Sequence, residues 1–167
     1  MKFFNKRHEA VLYNILLNLS RNIFFYKKLQ LKDSFETRIY LMFIHFSILM
    51  IIFKKKGSKL DQNSYDFFFH NIEYNLRELG FGDVTVNKKM KDFNKILYDI
   101  LLKIDQKKEF NNSFKLNQSL IFNYFDVLKG NNNSKYANFE KYFSNFFNFC
   151  FELSLDNMLK EIVKFKN

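Results

Sequence analysis

The chain has 167 residues, a formal net charge of +10 and a hydrophobic fraction of 47%. That is enough apolar material for one sizeable core and too much for a disordered, solvating chain. A single cysteine, Cys150, excludes an intramolecular disulfide and a cysteine-cluster metal site.

The apolar period is helical from end to end. A first helix is predicted from about Asn5 into the twenties, with Leu12, Ile15, Leu16 and Leu19 as its buried stripe and Asn14 and Asn18 on its wet side. A second is predicted over Ser34 to Lys54, with Asp33 and Ser34 as capping residues and Gly57 as its stop. Its segment "IYLMFIHFSILMIIF", Ile39 to Phe53, is apolar on every side. Such a helix is either central and buried or membrane-spanning. Fifteen residues cover about 22 Å, short of the roughly 30 Å hydrocarbon core, and His45 and Ser47 interrupt it, so burial is expected. The trailing Lys54 to Lys56 would suit an anionic lipid surface but reads better as a solvated helix end that complements the dipole.

A third helix is predicted over Asn63 to Leu79. A fourth is expected to begin between Thr85 and Lys88 and to carry Met90, Phe93, Ile96, Leu97, Ile100, Leu101 and Ile104. On that reading Lys88, Lys89 and Lys91 occupy a first helical turn, where positive charge is mildly unfavourable. A shorter helix follows over Leu116 to Leu128, ended by Gly130, and a last long one over Lys135 to Phe165. The fold class is therefore all-α: one helical domain of about six helices without a coiled-coil repeat. The closing helix carries two apolar stripes. Phe139, Tyr142, Phe143, Phe146 and Cys150 make one, and Phe147, Phe151, Leu155, Met158 and Ile162 the other. One stripe covers a core; the second is either a docking groove for an apolar client helix or phenylalanine enrichment from nucleotide bias.

That bias shows in the composition. Phe (24), Lys, Asn and Ile abound, Trp and Pro are absent, and only Arg7, Arg21, Arg38 and Arg77 among the 27 basic residues are arginine. Lysine charge is then a weak argument for nucleic acid, and the rarer Arg and Gly carry more information.

Enzyme signatures are missing. Gly57 and Gly130 stand alone, so there is no P-loop, "GFGD" lacks the rest of a dinucleotide fingerprint, and no nucleophile elbow occurs. His8, His45 and His70 form no His-x-x-x-His pair, and "HNIE" is a single copy of an i, i+3 spacing that di-metal bundles need twice. No catalytic residue, metal or cofactor is expected. Cys150, between two phenylalanines, reads as an inert buried thiol. Arg38 and His45 share a helical face and need partners, for which Asp33, Glu73, Glu78 and Asp83 are available. They form either a polar cluster that sets how the second and third helices meet or a partner-facing notch.

Two of four glycines, Gly80 and Gly82, fall within "LRELGFGD" (Leu76 to Asp83). Gly80 fits C′ of the third helix, with Phe81 at C″ packing back on Leu76, and Gly82 eases a sharp turn into the fourth.

The stretch "FHNIEYNLRELGFGDVTVNKKMK", Phe69 to Lys91, resembles the central motif of the ubiquinol–cytochrome c chaperone family, assembly factors of respiratory complex III. Leu76, Arg77, Glu78, Gly80, Gly82 and Asp83 match directly, with Leu79 in place of Met and Phe81 in place of Val. "LYNILLNLSRNIFFY" (Leu12 to Tyr26) and "DSFETRIYLMFIH" (Asp33 to His45) resemble upstream parts of the family in the right order, so the resemblance covers about Val11 to Ile104 and fades after Asp105. His70 or Asn71 stands where members usually carry aspartate.

The resemblance implies a non-enzymatic chaperone that binds newly made cytochrome b or another apolar membrane-protein client. It also implies contact with the ribosome; the basic residues add an anionic membrane surface as a further option, and the surplus apolar face allows a hetero- or homodimer. No specific DNA binding is expected. Partner-binding residues are expected at Arg38, His45, Glu73, Arg77, Glu78, Gly80, Gly82, Asp83, Lys88 and Lys89. The alternative is a ribosome- or RNA-associated basic helical module that supports translation of a membrane subunit. The opening "MKFFNKRHEAVLY" has no secretory or transit character, so a cytoplasmic, bacterial protein is expected, peripheral at the cytoplasmic face of the inner membrane if it attaches there.

Overall fold

The structure is a computed structural model that describes residues 3–105, 114–130 and 134–167, the side chains of 3–10 and 105 excepted. Its helices are α1 (Phe3–Ser20), α2 (Phe35–Lys55), α3 (Gln62–Glu78), α4 (Asp83–Asp105), α5 (Gln118–Tyr124), α6 (Ser134–Glu152) and α7 (Met158–Glu161), and the described residues contain no strand. The fold is all-α.

Local chemistry explains the starts. Ser34 Oγ accepts from Thr37 N at 3.2 Å, Asp61 Oδ2 from Ser64 N at 3.2 Å, and Asn117 Oδ1 from Leu120 N at 3.2 Å. Each satisfies an orphan amide of a first turn. Of the two capping candidates before α2, Ser34 takes the cap, which leaves Asp33 to bind Arg38.

α2 is the axis of the molecule. Residues Leu41 to Leu49 are buried without interruption, and α1, α4 and α6 pack around it. At 21 residues it spans about 31 Å, so its length and composition alone would allow a membrane crossing. What argues against that is the covering: 72% of its most apolar window is buried against the rest of the chain. Ser47 is also buried, and its hydroxyl has no hydrogen-bond partner among the described residues, so it costs stability rather than adding it.

Four expectations need correction. α4 begins at Asp83, not between Thr85 and Lys88. Lys88 and Lys89 thus sit in its second turn, Asp83 occupies the first, and the dipole conflict largely disappears. The helix expected over Leu116 to Leu128 stops at Tyr124. Phe125 leaves helical space (φ −132°, ψ 81°) to pack on Phe139 at 5.2 Å, and a 3₁₀ turn, Asp126–Lys129, completes the segment.

The closing helix is also broken, after Glu152. Ser154, Asp156 and Asn157 lie in the break and favour turns over helix interiors. The break lets α7 fold back onto α1, with Met158 and Ile162 fully buried. Phe165 follows and packs within 5.5 Å of Tyr142, Phe146 and Phe149.

Lys56 accounts for the fourth correction. Its ammonium donates to the Leu153 carbonyl and lies 5.3 Å over the Phe151 ring. The last lysine of the triplet therefore caps α6 instead of facing solvent.

Candidate functional site

The sequence-predicted residues separate into two groups. His45 lies in the core and is 0% exposed, so it is out of reach of any partner. Phe25, Tyr142, Phe143 and Phe146 surround its ring at 4.8–6.2 Å. Nδ1 lies 2.6 Å from the Leu41 carbonyl, which only accepts, so Nδ1 carries the proton and Nε2 accepts from the Tyr142 hydroxyl at 3.0 Å. Burial pulls its pKa down to about 4, and the ring is neutral. Arg38 does not join it. Its guanidinium bonds Asp33 at 2.5 Å on the surface, so the supposed Arg38–His45 cluster does not exist. The face shared at i, i+7 diverges because the arginine turns back to Asp33 while the histidine enters the core.

The remaining residues meet at the corner between α3 and α4. Gly80 has φ +93°, Gly80 N donates to Arg77 O at 3.0 Å and Phe81 N to Leu76 O at 3.3 Å. These two bonds make a Schellman cap. Gly82 has no positive φ, and a side-chain carbon added there would meet nothing within 4 Å. It is not needed for a sharp turn. Its carbonyl accepts from Val86 N at 2.9 Å, the first bond of α4, at a capping position glycine tolerates.

Arg77 spans the corner, donating to Glu73 at 2.9 Å and to Asp83 across the turn. Both carboxylates hold its guanidinium in place. Lys89 lies 3.6 Å from Glu36 and 5.0 Å over the Phe81 ring, which ties the corner to the first turn of α2. Phe81 is thus covered by a cation and does not reach fully inward; it stays 39% exposed. Lys88 is exposed on α4.

Sequence reasoning missed the apolar component. Leu79 is 59% and Val84 84% exposed, and with Phe81 they form an apolar rim on the corner. Val84 was identifiable, since it falls two residues off the buried stripe of Val86, Phe93 and Leu97. Beside the rim runs a groove of about 430 Å³ between α1, α2 and α3, lined by Tyr13, Arg21, Phe35, Arg38, Glu78 and Leu79 among others. Asn75 donates to the Tyr13 hydroxyl across it. Burial raises the Tyr13 pKa against the pull of Arg21.

Of the second stripe on the closing segment, Phe147, Met158 and Ile162 are buried and Phe151 and Leu155 half-buried, so the docking groove that was one of its two readings is not an open surface. Phe147 is buried, stacked 5.0 Å from Phe114 and 5.7 Å from Phe151. Cys150 is buried too, and desolvation pushes its thiol up to about 12, so it is inert. Among the described residues no three His, Cys, Asp or Glu side chains converge to hold a metal; His8 lies outside the described side chains.

A family model described as Ubiquinol-cytochrome C chaperone matches residues 27–165, most of the chain. The chain belongs to that family. Searches of curated proteins and of solved structures found no match. The span of the ubiquinol–cytochrome c chaperone match shifts the expected coverage in two ways. It reaches through α6 and α7, where the resemblance was expected to fade, and it begins at Lys27, after the opening-helix stretch that contains Arg21. Membership supports a chaperone role in complex III assembly and the binding of a client protein.

Proposed function

We propose that this chaperone holds an apolar segment of cytochrome b, or of a related membrane subunit, against the α3–α4 corner while complex III is assembled. The observation that carries this reading is the exposure of Leu79, Phe81 and Val84 on a corner that a Schellman cap closes and the Glu73–Arg77–Asp83 ion pairs span. Apolar side chains the fold does not use, framed by polar ones, are what a transient apolar partner needs. The groove beside them adds Arg21, Arg38 and Glu78, which suit the polar flanks of a membrane segment. The mechanism is shielding, and no bond is made or broken. The client surface is this corner and not the phenylalanines of α6, of which four are buried and Phe149 and Phe151 half-buried.

The test compares gene deletion with a chromosomal Leu79→Ser, Val84→Ser double variant and reads cytochrome b absorbance in membranes. Both should lower it, while the purified variant keeps its helical circular dichroism. Normal cytochrome b and complex III activity in the deletion would refute the role altogether. A deficit in the deletion with a normal double variant would leave the role standing and remove the corner as the client surface.

A further inference from the structure

A second face, which shares no lining residue with the groove beside the corner, has its own chemistry. Between α1 and α2 the chain forms one turn of π-helix, Phe24–Lys28, closed by Leu29 N donating to Phe24 O at 3.1 Å. Phe25 goes fully into the core, and Ile23, Lys27 and Lys28 stay outside. Across from them α6 presents Asn138, Lys141 and Asn145, which share one face at i, i+3 and i+7. Together these side chains line a pocket of about 560 Å³. Its described lining holds three lysines and no aspartate or glutamate. Amide groups supply the remaining polar contacts.

The pocket is bordered by apolar prongs. Ile23 is 61% exposed. An adjoining pocket of about 280 Å³ shares Asn22 and is lined by Phe165 and Val163, and Val163 is 67% exposed. Cations and amides in a hollow, with isolated branched apolar side chains standing beside it, match a bilayer surface: phosphate headgroups for the lysines, the acyl boundary for Ile23 and Val163. Single-stranded nucleic acid fits less well. It needs open aromatic faces for base stacking, and Phe24 is stacked on Tyr142 at 5.5 Å with Lys28 Nζ 5.6 Å over its ring.

We propose that this face binds the headgroup of an anionic phospholipid, with Lys27, Lys28 and Lys141 on the phosphate and Ile23 entering the membrane interface. The site is separate from the α3–α4 corner and stands whether or not the client reading does.

The chain has no tryptophan, so Ile23→Trp gives a sole reporter at the point of insertion. The full-length variant is titrated with vesicles of phosphatidylglycerol and phosphatidylcholine, and with phosphatidylcholine alone. Emission should shift to the blue only with the anionic vesicles. Lys27→Gln, Lys28→Gln, Lys141→Gln should weaken vesicle partitioning about a hundredfold. Lys91→Gln, Lys95→Gln, Lys115→Gln removes the same charge elsewhere and should weaken it less than about fivefold; unchanged circular dichroism and urea midpoints verify both folds. An unshifted tryptophan, or equal losses in the two triple variants, would overturn the proposal. So would lysine-dependent binding of polyuridylate with no vesicle binding. Loss of vesicle binding in a few millimolar inorganic phosphate would overturn it too, since it would assign the pocket to a small phosphate ligand.

Discussion

Gly80 and Gly82 lie two positions apart and do different things. Gly80 holds φ +93°, a conformation that costs an L-residue about 1–2 kcal/mol. Gly82 lies outside that region and has open space around it. Gly80→Ala should therefore lower stability by about 1 kcal/mol or more, whereas Gly82→Ser should be neutral or stabilising by a few tenths, because serine is the better helix cap. Urea unfolding of the two variants checks this, and equal destabilisation would show that the corner needs both glycines. His45 sets a pH dependence. It is neutral in the fold, with a pKa near 4 against 6.5 when unfolded, so the unfolded chain binds the extra proton between those values. Stability should be constant above about pH 6.5 and fall as pH drops toward 4, by about 3 kcal/mol in total. Comparison with His45→Phe at each pH cancels the carboxylates. A wild-type loss between pH 7 and 4.5 no steeper than the variant's would count against the buried neutral ring. The glycine cap was legible because it depends on four neighbouring residues. The histidine's partner was not, because Tyr142 lies 97 residues away.

The helices show the same divide. α2 and α3 lie within one or two residues of their predicted bounds, since caps and a 3.6-residue period are local signals. For the closing segment the period predicts one helix with a surplus aromatic stripe, and the segment is two helices with that stripe largely covered. Phe147 and Ile162, both on that stripe, are buried. Phe147→Ala and Ile162→Ala should each cost about 2–5 kcal/mol by urea unfolding; losses below about 0.5 kcal/mol would restore the stripe to the surface. The period identifies which residues share a face but carries no information on Phe114, which stacks on Phe147 from a separate, earlier segment, or on the turn that brings α7 back onto α1.

At the scale of the whole molecule, the +10 charge is uninformative until it is placed. Lys56 caps α6, Lys89 sits on Phe81 beside Glu36, and Lys27, Lys28 and Lys141 face one pocket. Lysines of identical chemistry thus have three different surroundings. The sequence by itself determined the all-α class, the Schellman corner and the chaperone family, because each rests on short-range order: a helical period, a glycine in left-handed space, an ordered set of residues. Only the tertiary structure decided that His45 is core, that most α6 aromatics are covered, and that Leu79, Phe81 and Val84 are left outside. Burial is a property of what arrives from elsewhere in the chain, and a pattern read along one helix does not contain the partner that covers it.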